Sequence, residues 1–233
     1  MPDLPTHTLV CIPGLGYDRR IFQKLSLPGV DLVFIDWLEP ERKESMTNYV
    51  RRMANQLDHL KGIVSFLGHS FGGVLAQHLA SYFCGHTSLS VERIILVSSI
   101  KARQELSPGF RRIAPLGLQV VFHKSWVLPS VHLWGRGHGF IDPEKLALFK
   151  SMVGSYTNHY LRWALRQLSL YQNLQLPSDI RLYHFHGDDD QTLPVQFIQA
   201  PFREIKGGNH IMILDKADLL NPLILESLTG NEE

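Results

Sequence analysis

Ile63-Val64-Ser65-Phe66-Leu67-Gly68-His69-Ser70-Phe71-Gly72-Gly73 reads as a strand, a sharp turn and the start of a helix. Five residues, four of them apolar, make a short buried strand. From Gly72 to Phe83 the apolar side chains switch to helical spacing, with Val74, Leu75, His78 and Leu79 on one side. A serine caught between a strand end and a helix start must adopt strained dihedrals that push its hydroxyl outward. Gly68 and Gly72, two positions either side of Ser70, leave room for strand and helix to close around it. The helix start then aims free N–H groups at the same point, and the Phe71 N–H is the first candidate donor for a developing oxyanion. Gly-x-Ser-x-Gly by itself does not distinguish such a site from a chance turn. Its place between a buried strand and a helix is what gives it chemical meaning.

Outward from this stretch, strand and helix alternate. His7 to Ile12, Asp31 to Asp36 and Arg93 to Val97 read as further buried strands, and Ile180 to Phe185 and Phe202 to Ile205 as two more. Short helical segments are expected near Arg19 to Leu25 and from Ser45 to Leu60, with Ser45 or Thr47 as cap, and a last helix from Ala217 to Leu228 that Pro222 interrupts or restarts. The alternation stops between Lys101 and Ser178, where Ser107 to Val121, Pro143 to Val153 and Tyr156 to Tyr171 read as helices. The pattern predicts an α/β fold: a mostly parallel sheet of about six strands, helices on both faces, and a helical insertion. The 233 residues fit one domain, with a core over 1–100 and 179–233 and the insertion over about 101–178.

A serine hydroxyl is a weak nucleophile until a base stands beside it and a third group holds the base. In this topology the expected chain order is Ser, acid, His. His186-Gly187-Asp188-Asp189-Asp190 follows the strand Ile180 to Phe185, and Gly207-Gly208-Asn209-His210 follows the strand Phe202 to Ile205. The candidates are therefore Ser70, Asp190 and His210. Asp190 is preferred because Pro194 follows it in an arrangement common for such loops, with Asp188 and Asp189 as alternatives. The glycine-rich turn Pro13-Gly14-Leu15-Gly16 after the first strand makes Leu15 N–H the second candidate oxyanion donor. No third glycine follows Gly16, so a dinucleotide fingerprint is absent.

Histidine is too common here, at twelve residues, to signal by count. His69 is expected to turn away from Ser70. His59 and His78 read as surface or helix-packing residues. His184 and His186 alternate at a spacing that a metal would accept, but one packed and one orienting side chain is the simpler reading. His123, His132 and His138 have no ligand-like spacing, so no metal and no cofactor is expected.

A formal net charge of +1 argues against a polyanionic main partner, so neither nucleic acid nor membrane insertion is expected. No apolar run reaches the roughly 18 residues of a membrane helix. Met1-Pro2-Asp3-Leu4-Pro5 lacks the basic and apolar pattern of a secretory signal, so the simplest location is cytoplasmic. Cys11 and Cys84 are expected to be buried free thiols.

Taken together, Pro13 to Gly16, Gly68 to Gly72, Gly187 to Asp190 and Gly208-Asn209-His210 resemble the motifs of the α/β-hydrolase superfamily. The likeness is greatest to compact serine esterases and thioesterases with a small helical cap. It covers nearly the whole chain outside the insertion. Two departures stand out. Pro13 occupies a place where His-Gly is usual, and the chain begins at what would be the family's third strand. Serine at position 70, where some similar proteins carry aspartate, weakens haloalkane or epoxide chemistry.

The resemblance implies an insertion that caps the serine and shapes an apolar acyl pocket. Phe110, Leu116, Val120, Phe122, Trp126, Leu128, Trp134, Phe140, Leu148, Phe149, Met152 and Trp163 supply its apolar side chains. Most are expected to form the insertion's own core. Trp134-Gly135-Arg136-Gly137-His138-Gly139-Phe140 suggests a hinge or lid, with Arg136 a candidate anion contact. The expected function is hydrolysis of a carboxylic ester or thioester of a small, largely apolar acyl substrate. The alternatives are a small-molecule receptor on the same scaffold, or a lyase or cofactor-free haloperoxidase using the same three residues.

Overall fold

A computed structural model describes residues 7–85, 89–135, 139–140 and 142–230. Six strands form one sheet: β1 His7–Ile12, β2 Val30–Phe34, β3 Gly62–His69, β4 Leu89–Val97, β5 Arg181–Gly187 and β6 Arg203–Ile205. Their order is β2-β1-β3-β4-β5-β6, and every pairing is parallel. Consecutive residues of a strand face opposite sides, yet Leu9 to Ile12 and Ile94 to Val97 are all buried. Both faces are therefore covered at the sheet's centre, as uninterrupted apolar strands require.

Eight helices accompany the sheet among the described residues: α1 Met46–Ala54, α2 Phe71–Phe83, α3 Pro108–Arg112, α4 Lys124–Trp134, α5 Pro143–Ser155, α6 Asn158–Ser169, α7 Met212–Asp215 and α8 Ala217–Thr229. Ser45, rather than Thr47, caps α1, its hydroxyl accepting from Asn48 N at 3.2 Å. That helix ends at Ala54 and tightens into a 3-10 turn over Asn55–Leu57, short of the expected Leu60. Asp142 and Thr157 cap α5 and α6 in the same manner. Helix α8 runs on through Pro222 without restarting.

Helices α3 to α6 occupy the stretch between β4 and β5, and here the sequence reading was least accurate. The expected helix over Ser107 to Val121 is only α3, because Gly117 adopts a left-handed φ of 67° before a 3-10 turn at Leu118–Val121. Helix α4 was not expected. It holds Pro129, and its apolar residues are not gathered on one side, so it shows no clear helical period. Leu116, Val120 and Trp126, expected in the insertion's core or pocket, are instead exposed at 65%, 61% and 69%. Cys11 is buried as expected, but Cys84, just past the end of α2, is exposed; both are free thiols. Arg136 and His138 lie outside the described residues.

Rings and hydrogen bonds fasten the insertion to the sheet domain. Trp163 packs on Tyr49 at 4.2 Å between centroids and donates its Nε1–H to the Glu44 carbonyl at 2.9 Å. Burying one such ring is worth about 2–3 kcal/mol. Tyr156 donates its hydroxyl to the Tyr17 carbonyl at 2.9 Å. The insertion thus seats directly over the first loop and the Ser70 turn.

Candidate active site

Ser70 stands at the N-cap of α2 with φ 52° and ψ −124°, a strained conformation for a non-glycine residue. The turn is over-determined. Ser70 N donates to Val97 O at 3.0 Å, Gly73 N donates to Ser70 O at 2.9 Å, and the Ser99 hydroxyl donates to the same oxygen at 2.6 Å. A Cβ at position 72 would fall 2.2 Å from Ile12 O and 2.4 Å from Pro13 O, so glycine is what lets the end of β1 pass against the turn.

His210 and Asp190 reach Ser70 from two other loops. His210 Nε2 lies 2.9 Å from Ser70 Oγ, and His210 Nδ1 lies 2.9 and 3.1 Å from the two Asp190 oxygens. An ionised carboxylate only accepts, so Nδ1 carries the proton and the Nε2 lone pair faces the serine hydroxyl. All three residues are buried. Burial pushes the Asp190 pKa up. The charge and hydrogen bond of His210, the charge of His186 and the Leu193 N–H outweigh it, and the net shift is downward. Asp190 Oδ1 also accepts from Thr192 N at 2.9 Å and Leu193 N at 2.8 Å. Neither alternative aspartate reaches His210: Asp188 Oδ1 accepts from Gly207 N at 2.6 Å, and Asp189 is exposed.

The first loop lies beside this chain of side chains. A Cβ on Gly14 would stand 3.0 Å from Ser70 Cβ and 2.9 Å from His69 Nδ1. Leu15 borders the same cavity as Ser70, and no acceptor among the described residues engages Leu15 N–H or Phe71 N–H. Trp37 holds the loop and the turn together. Its Nε1–H donates to Gly14 O at 3.1 Å, and its ring stacks on Phe71 at 5.3 Å.

Trp37, His69 and the His184–His186 pair support the site through contacts that sequence reasoning did not supply. Nothing in the sequence around Trp37 signals a loop anchor. His69 does turn away from Ser70, but its Nε2–H then donates to the His210 carbonyl at 2.8 Å, tying the histidine loop down. Burial first, then the nearby His210, lowers the His69 pKa to about 3, so the ring is neutral. Behind Asp190, His186 Nε2–H donates to Leu193 O at 2.7 Å, and His184 Nε2 meets His186 Nδ1 at 3.2 Å. Burial lowers the pKa of both rings. The strand spacing of 184 and 186, and their reading as one packed and one orienting side chain, were visible in the sequence; their hydrogen bond to each other was not. No group of three potential metal ligands occurs among the described residues.

The serine opens onto a cavity of about 360 Å³. Phe110, Phe122, Phe140, Phe149, Val153 and Leu161 contribute to its apolar wall, and among the described residues no carboxylate, lysine or arginine lines it. Such a site accepts an apolar group, and among the described residues its polar side chains are Ser70, His210, Tyr17 and Thr192. No helix among the described residues is long and apolar enough to cross a membrane.

A family model described as "Alpha/beta hydrolase family" matches residues 9–223. No curated protein matches the chain. Among solved structures, the RedJ thioesterase of the prodiginine biosynthetic pathway in Streptomyces coelicolor is 17% identical with a TM-score of 0.67, over 97% of this chain and 95% of that one. ClbQ from the colibactin NRPS/PKS pathway is 15% identical with a TM-score of 0.66, over 97% and 98%. A thermophilic esterase from Thermogutta terrifontis is 16% identical with a TM-score of 0.69, over 96% and 90%. At these identities the likeness is one of fold.

Proposed function

This chain belongs to the alpha/beta hydrolase family, and on that premise we propose that it is a serine hydrolase acting on a carboxylic ester or thioester of a small, largely apolar acyl group. One observation carries the reading: an unbroken hydrogen-bonded chain from Asp190 through His210 to Ser70 ends at the mouth of an apolar cavity. Ser70 Oγ attacks the carbonyl carbon as His210 Nε2 takes its proton. Asp190 keeps the imidazole in the required tautomer and stabilises the imidazolium. The N–H groups of Leu15 and Phe71 receive the oxyanion. His210 then returns the proton to the departing alkoxide or thiolate. Water, activated by the same histidine, releases the acid from the acyl-enzyme. The helical insertion acts as a cap, and its phenylalanines hold the acyl chain in the cavity.

The strained Ser70 backbone, which costs about 1–3 kcal/mol, presents the hydroxyl 2.9 Å from His210 Nε2. That alignment with a base favours chemistry over simple binding. The test is labelling with a fluorophosphonate probe, followed by a panel of p-nitrophenyl esters and acyl-thioesters of graded chain length. Labelling is expected on Ser70 alone, and Ser70→Ala is expected to lose both labelling and turnover while staying folded. Turnover that survives Ser70→Ala would place the nucleophile elsewhere.

A further inference from the structure

The outer face of the insertion carries an apolar ridge that the catalytic reading leaves unused. Leu116, Leu118, Val120, Val121 and Trp126 are exposed at 65%, 48%, 61%, 60% and 69%. Five large apolar side chains within eleven residues are far more than the scattered exposure of an ordinary surface. The charge around them is one-sided. From Leu106 to Gly135 the sequence holds Arg111, Arg112 and Lys124 and not a single Asp or Glu, although the whole chain is only +1. Beside Val120 opens a cleft of about 480 Å³ lined by Lys43, Arg162 and Arg166, together with His159, Gln119 and Glu44. Glu44 is buried and paired with Arg52 at 2.7 Å. Lys43, Arg162 and Arg166 have no carboxylate partner among the described residues. Arg162 is fixed under the ridge, its Nε–H donating to Phe122 O at 2.8 Å.

From this we infer that the ridge and its cationic cleft are a docking surface for an anionic lipid layer, on which the protein lies peripherally. Trp126 and the aliphatic side chains enter the acyl boundary, and Lys43, Arg162 and Arg166 meet lipid phosphates. The charge complementarity is what favours a lipid surface over a second copy of this chain, whose ridge would bring the same positive charges together. The same segment also reaches the cavity: Phe122 and Val127 line it while Val120, Val121 and Trp126 face outward. A lipophilic molecule leaving the lipid layer at the ridge therefore arrives beside the cavity wall.

The experiment is flotation of the intact protein with vesicles of phosphatidylcholine, with and without phosphatidylglycerol, read as the bound fraction and as the Trp126 fluorescence shift against Trp126→Phe. Binding to the phosphatidylglycerol vesicles that weakens as salt is raised is expected. Val121→Ser/Trp126→Ser should lower the partition coefficient at least tenfold, and Lys43→Gln/Arg166→Gln about fivefold per charge. Both variants should keep the melting temperature of the wild type. Ser70→Ala should bind as wild type does, so this result stands apart from the hydrolase assignment. Wild type that stays unbound, or variants that bind as well as wild type, would overturn the inference. A dimer that Val121→Ser/Trp126→Ser converts to monomer, without vesicle binding, would overturn it in favour of self-association.

Discussion

Replacing His69 with glutamine should flatten the acid side of the stability curve by about 2 kcal/mol between pH 7 and pH 5. His69 is fully buried, and burial together with His210 holds its folded-state pKa at about 3. In the unfolded chain the ring titrates near its ordinary value of about 6.5. Below that pH the unfolded state takes up a proton that the folded state refuses. A base whose folded pKa is depressed in this way contributes stability at neutral pH and loses it as pH falls below the unfolded value. The slope approaches about 1.4 kcal/mol per pH unit, and integration from pH 7 to 5 gives about 2 kcal/mol.

His184 and His186 add slopes of the same sign, since burial lowers them too. The comparison of wild type with His69→Gln cancels them. Glutamine retains an N–H able to donate to the His210 carbonyl and takes up no proton in either state. Any packing loss it causes is the same at every pH. Urea unfolding of both proteins across this range measures the difference directly. Parallel curves would refute the reasoning, because they would mean that folded His69 is accessible to protons.

Asp190→Asn should cut kcat by about 10³- to 10⁴-fold, since an amide cannot hold His210 in the tautomer that leaves Nε2 free; Asp188→Asn and Asp189→Asn should stay within a few-fold, and steady-state kinetics on one ester separates the three. Phe149, buried between Tyr17 at 5.8 Å and Phe140 at 4.3 Å, lines the cavity. Phe149→Ala should destabilise the fold by about 3–5 kcal/mol by denaturant titration, and it should move the preferred substrate toward longer acyl chains on the same ester panel.

The sheet and the three central site residues were legible because they depend on short-range pattern. Ile63 to Gly73 announces strand, turn and helix within eleven residues. Asp190 and His210 each follow an apolar run by a few positions, so their loops could be placed without coordinates. Between 101 and 178 the reading failed in places for physical reasons. Helix α4 gathers its apolar residues on no single side and contains Pro129, so neither periodicity nor propensity marks it. Gly117 broke an expected helix because its left-handed φ is a matter of backbone context that composition does not reveal.

By itself, then, the amino-acid sequence determined the class of fold, the chain order of the candidates Ser70, Asp190 and His210, and the glycines that let the turn close. The sequence preferred Asp190 over Asp188 and Asp189, and the tertiary structure is what brings Asp190 beside His210, because that proximity is a distance across twenty residues of chain. Tertiary structure also decided which large apolar side chains of the insertion line the cavity, as Phe122 and Phe149 do, and which face solvent, as Val121 and Trp126 do. Hydrophobicity drives burial in general but names no partner; only the packing of the insertion over the sheet assigns each side chain to one face or the other.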